Sequence, residues 1–220
     1  MFNFKKISTM KKFFVILMAA LFVMPISVDA QSKQLEKARK KEFKTKMKEL
    51  SKEDWKIFAS ARSLDVALLE HYEKLNTMGD NAYALVGIAS KSASKNLAKQ
   101  RALNNACAEY AQHAKSYIQG RVTTEMAGDI SATNEMDNFY AAYERLISSE
   151  IKGELRESFS IIRDLGDGTF EVQTFFIVDQ DAASKARIRA MENAFKESEM
   201  AQKHATKVSE FVNEGFRENQ

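Results

Sequence analysis

The chain has 220 residues, with 33 Lys and Arg against 30 Asp and Glu, eight glycines, one proline and one cysteine. A single cysteine excludes an intramolecular disulfide, so the fold has to hold by its core. A net charge of only +3 gives a general nucleic-acid role little electrostatic support, and near-absence of proline permits long helices almost anywhere.

The first thirty residues read as an export signal. Lysines precede an unbroken apolar run from Phe13 to Met24, Pro25 breaks it, and the small residues Val28 and Ala30 stand at the cleavage positions. That run is about a dozen residues, where a bilayer-spanning helix needs about twenty. The expectation is therefore a signal peptide over 1–30, a mature chain beginning at Gln31, and no transmembrane segment. Met10 makes a better signal start than Met1, so both are candidate starts. A lipoprotein signal needs a cysteine just after cleavage; Gln31 and Ser32 stand there, so a soluble periplasmic or secreted product without an acyl anchor is expected. Cleavage would remove four lysines and Asp29, leaving 29 basic and 29 acidic residues.

Residues 33–50 predict a charged helix with sparse apolar positions Leu35, Phe43, Met47 and Leu50. Residues 31–60 hold ten Lys and Arg against five Asp and Glu. Arg39, Lys40 and Lys44 are the expected points of weak contact with an anionic surface. Ser51 with Glu53 and Asp54 resembles a helix start, after which Ile57, Ala61, Leu64, Leu68, Tyr72 and Leu75 share one face at spacings of three and four. Trp55 points away from that stripe, and Met78 to Asn81 supplies a turn.

Tyr83 to Ser90 predicts a buried strand, with Gly87 marking a close approach. From about Ser92 to Ile118 a helix repeats alanine at Ala98, Ala102, Ala106 and Ala114, a stripe that lets it sit close on a sheet. Cys107 lies beside it as a small hydrophobe. A polar connection with Gly120 and Gly128 precedes a helix marked by Met136, Phe139, Tyr140, Tyr143, Leu146, Ile147 and Ile151. Leu155 to Asp164 and Thr169 to Asp179 then flank Leu165-Gly166-Asp167-Gly168, whose glycines suit a tight hairpin. The last helix is expected from Ala182 to Phe216 as one rod of about 50 Å. Its seam of Ala194, Ser198, Ala201, Ala205, Val208 and Val212 would lie along the amino-terminal helices or make a homo-oligomer, with the first favoured.

The stretch AYALVGIASKSASKNLAKQRALNNACAEYAQ, read with LGDGTFEVQTFFIVD, resembles the Lpp-twenty-like bacterial envelope lipoprotein domain, which is also similar to the amino-terminal domain of flagellar assembly protein T. The resemblance covers about residues 82–195 and rests on the glycine-containing strand, the helix with Ala98, Arg101, Ala102 and Ala106, and the Asp-Gly hairpin. It implies an envelope-associated, non-enzymatic protein with a small antiparallel sheet carrying helices on one face. Many members have a lipobox cysteine, which this chain lacks. The implied division is a helical arm over 31–81, the α+β domain over 82–195 and a helical extension over 196–220. The sheet is expected to be three-stranded and mainly antiparallel, with long helices at both ends.

No catalytic constellation stands out. His71, His113 and His204 fall on separate helices without a metal-binding spacing, the glycines are too dispersed for a phosphate loop, and Ser90, Ser92 and Ser94 read as helix-start residues. Asp164, Asp167 and Asp179 bracket the hairpin but lack a calcium-loop rhythm. No cofactor and no metal are expected. The residues expected to matter are structural: Gly87, Ala98, Ala102 and Ala106 for helix-on-sheet packing, Gly166 and Gly168 for the hairpin. The leading expectation is a non-catalytic envelope protein that binds or assembles with other envelope proteins. The alternative is a carrier of an apolar ligand in a cavity lined by Phe58, Leu68 and the Phe175 face. A hydrolase comes third and would need a histidine beside a serine or carboxylate in an open cleft.

Overall fold

The computed structural model describes residues 28–125 and 136–214. Residues 1–27 of the expected 1–30 signal, Gly128 and the tail from 215 lie outside the described residues. Two compact units divide at Lys48 and Glu49. The expected divisions at 81/82 and 195/196 are therefore not where the chain separates.

The first unit is described through helix α1 (Val28–Lys52), whose side chains from Gln34 to Thr45 are exposed apart from Phe43. Its end shows why Ser51 starts nothing. Asp54 adopts φ 57°, its N–H donates to Ser51 O, and Trp55 N–H reaches back to Leu50 O at 3.1 Å. This paired closure with a left-handed residue is a Schellman termination, and it brings an apolar pair together across the turn. Leu50 and Trp55 are that pair, both buried. An aspartate occupies the place glycine usually fills, which short polar side chains tolerate.

The second unit holds one antiparallel sheet in the order β1-β3-β4-β2, so the α+β class stands with four strands in place of three. Strand β1 (Lys56–Phe58) replaces the first part of the expected second helix, pairing Ile57 with Ile161 of β3 (Arg156–Asp164). Helix α2 then runs only over Leu64–Met78. A one-turn 3-10 helix at Gly79–Asn81 leads into β2 (Ala82–Ser92), and β4 (Phe170–Asp179) lies between β2 and β3. The β3–β4 hairpin forms as expected: Gly166 and Gly168 take φ 81° and 80°, and Leu165 N–H donates to Thr169 O.

Both faces of the sheet are covered, which corrects the expectation of helices on one face. Tyr83, Leu85, Gly87 and Ala89 of β2 pair with Val178, Phe176, Thr174 and Val172 of β4, and this face meets helix α3 (Lys95–Glu125). Side chains alternate along a strand, so Phe175 and Ile177 point the other way, and α2 covers that side. His71 of α2 lies edge-on to Phe159 and Phe175 at 5.7 and 5.9 Å. Helices α4 (Asp137–Lys152) and α5 (Gln180–Phe195) stack beyond α3. Tyr83, Tyr110, Phe139, Tyr143 and Phe176 are among the buried aromatics between these layers.

The long carboxy-terminal rod is broken. After α5 come α6 (Glu199–Lys203) and α7 (Ala205–Glu214). Ser198 Oγ accepts the N–H of Ala201 at 3.2 Å, and Gln202 Nε2 donates to Phe195 O at 2.7 Å, which secures the bend. Helix α7 folds back on α3 and α5. Ala194, Ala201, Val208 and Val212 are fully buried in the unit's own core, so the seam expected to meet the amino-terminal helices or a second protomer is already filled. Arg121 fastens this return: it pairs with Glu125 and Glu214 and lies 4.7 Å over the Phe211 ring.

Candidate functional site

Helix and sheet approach closely at Gly87. A Cβ there would sit 1.9 Å from Ala102 O and 3.1 Å from Ala106 Cβ. Ala98, Ala102 and Ala106 are fully buried, so the alanine stripe does what small side chains permit, letting α3 rest almost backbone to backbone on β2. Gly120, expected in a connection, instead lies inside α3. Asn105 Nδ2 donates to Ile88 O at 2.6 Å, adding a polar tie between α3 and the edge strand. Burial raises the Cys107 thiol above its ordinary pKa, which keeps it protonated and a poor nucleophile at neutral pH.

On the Phe175 face, expected to line a carrier cavity, aromatic rings pack together. Phe159 and Phe175 stack at 4.4 Å, and His71 packs on both from above. Leu68 is buried one turn before His71 on the same helix, whereas Phe58 is half-buried on the edge strand. His71 is 3% exposed, and its Nδ1 has no hydrogen-bond partner. Desolvation first, and the charge of Lys74 second, push its pKa down to about 4. A neutral imidazole packed against aromatic rings serves as a core side chain.

On the other face a small cleft runs beside α3, lined by Asn96, Lys99, Gln100 and Leu103 opposite Glu157, Thr174 and Phe176. Its volume is about 210 Å³, below the roughly 300–1,000 Å³ typical of small-molecule sites. Lys99 and Glu157 close across it at 2.8 Å. Ser160 Oγ lies 2.8 Å from Glu157 and 3.0 Å from Thr174 Oγ1. These groups satisfy one another, and sequence periodicity gave no sign of them because they come from three separate elements.

The hairpin aspartates work on their own backbone. Asp164 accepts from Gly166 N–H at 2.9 Å, Asp167 from Thr169 N–H at 3.0 Å, and Asp179 caps α5 through Ala182 N–H at 3.0 Å. Among the described residues no three His, Cys, Asp or Glu side chains gather as a metal site. Arg187, 5% exposed, donates to Tyr110 Oη at 2.7 Å within the helical layers. Tyr143 is fully buried nearby with a raised pKa, chiefly through desolvation.

The arm offers a different kind of surface. Lys37, Lys41, Lys44 and Lys48 are all exposed. Of the expected anionic-contact residues, Lys40 is held by Glu36 at 2.6 Å, and Arg39 falls on another side of the helix at about 100° per residue. Only Lys44 belongs to the unshared row. Among the described residues no helix is long and apolar enough to cross a membrane. Neither a family model, nor a curated protein, nor a solved structure matches the chain.

Proposed function

We propose that the chain is an exported, non-catalytic protein of the bacterial cell envelope that acts by binding other envelope components through its surface, as its resemblance to the Lpp-twenty-like domain implies. The observation that supports this reading is the packed aromatic layer of His71, Phe159 and Phe175, on the face where a carrier would need open space. A hydrolase would need an imidazole beside a nucleophile, whereas His71 packs edge-on against Phe159 and Phe175. The signal-like start and the basic arm support a place at the envelope.

Fractionation of cells making the full chain, with mass spectrometry of the product's first peptide, tests the reading. The expected product begins at Gln31 outside the cytosol and forms covalent adducts with envelope components when intact cells are treated with an amine crosslinker. Uncleaved cytosolic protein, or an exported product that never crosslinks, would overturn it.

A further inference from the structure

Most exposed helices interleave charges of opposite sign at positions three and four apart, because such pairs stabilise a helix and like pairs destabilise it. Helix α1 departs from this on one side. Lys37, Lys41, Lys44 and Lys48 fall within about 60° of one another around the axis, over a length of roughly 16 Å. The residues three and four positions away from each are lysines or neutral side chains. Lys37 with Lys41, Lys40 with Lys44, and Lys44 with Lys48 are like-charged neighbours one turn apart. Glu36, Glu42 and Glu49 lie at least about 80° off the row. Among the described residues none of the four ammonium groups meets a carboxylate. The arrangement costs helix stability in isolation, a cost that a negatively charged partner reverses.

We propose that this lysine row is a docking surface for an anionic phospholipid bilayer, holding the arm flat against the headgroups by charge alone. The inference deepens the envelope reading above and rests on it for the location of the bilayer. Two features favour lipid over other polyanions. The row is straight and contains lysine only, whereas the planar, bidentate arginine is the usual reader of individual phosphates. It carries no aromatic side chain on which a nucleic-acid base could stack. Clusters of four or more lysines on one helical face gain strongly from a negatively charged leaflet, and salt removes the gain.

The test uses the full chain with vesicles of phosphatidylcholine alone and of phosphatidylcholine mixed with phosphatidylglycerol. The ratio of the two affinities cancels what the apolar run of residues 13–24 contributes. A large preference for the mixed vesicles is expected, lost when salt approaches 1 M and the screening length falls to about 3 Å. Lys37→Gln, Lys41→Gln, Lys44→Gln and Lys48→Gln combined should lower that preference about a hundredfold or more. Arg39→Gln, Lys46→Gln, Lys56→Gln and Lys74→Gln combined remove equal charge and should largely retain it. Equal losses in both variants, no lipid preference, or tighter row-dependent binding to a single-stranded oligonucleotide at the same salt would overturn the proposal. Retention of the chain in the cytosol would instead overturn the envelope reading while leaving the vesicle ratio intact.

Discussion

Replacing Gly87 with alanine isolates the contact on which the helix-to-sheet packing depends. The added Cβ would lie 1.9 Å from Ala102 O, while ordinary contact begins at 3.4 Å, so α3 and β2 have to separate by about 1.5 Å at that point. The obstacle is backbone, and no rotamer relieves it. Overpacking of a close-packed core typically costs about 1–3 kcal/mol and occasionally more. Because the shift propagates along Ala98, Ala102 and Ala106, a loss of about 3 kcal/mol or more is expected. Urea unfolding followed by circular dichroism measures it as a lowered midpoint. Two companion variants sharpen the result. Adding Ala102→Gly should not rescue, since the clashing atom is a carbonyl oxygen. Gly120→Ala, inside the same helix with nothing within 4 Å of its Cβ, should gain about 0.5–1 kcal/mol. Gly87→Ala unfolding within about 0.5 kcal/mol of the parent, or full rescue by Ala102→Gly, would refute the argument.

His71 predicts a pH dependence of defined sign. Its folded pKa of about 4 lies below the ordinary 6.5, so the unfolded chain takes up the proton first, and stability declines as pH falls from about 6.5 towards 4. The full effect is on the order of 3 kcal/mol, and His71→Leu should remove that part of the slope in unfolding measured across this range. Asp54→Gly places the residue best suited to a φ of 57° at the end of α1 and should raise the midpoint by about 0.5–1 kcal/mol; a drop would mean that the aspartate side chain is needed there. Phe211→Ala should cost about 3–5 kcal/mol with an unchanged elution volume in size exclusion coupled to light scattering. A shift in oligomer size without loss of stability would reinstate the carboxy-terminal segment as an interface.

The parts of this fold that were legible in the sequence are those where one residue answers one steric demand. Gly87, the alanine stripe, and Gly166 with Gly168 have local signatures, and each sits where those signatures imply. Helix α4 (Asp137–Lys152) was equally readable, because its aromatic face is buried on one side. Chain breaks were harder. Asp54 ends α1 in a backbone region that glycine more often announces, so Ser51 seemed to begin a helix. Ser198 looked like a member of a packing seam, although its hydroxyl caps the next segment. Strand β1 has three residues, too few for alternation to register. The second covered face had left a trace: Phe175, Phe176, Ile177 and Val178 form a continuous apolar run, which signals a strand buried on both sides. The alternation of Phe170, Val172, Thr174, Phe176 and Val178 along the same strand masks that trace. The cleft of Lys99, Glu157, Ser160 and Thr174 depends on strand register and the placement of α3, neither of which periodicity specifies.

Because Cys107 is the sole thiol in the sequence and is shut within the helical layers, a thiol-specific reagent has one target and reaches it only when those layers part. The rate of its modification is therefore a built-in gauge of how often the folded molecule opens, needing no introduced probe.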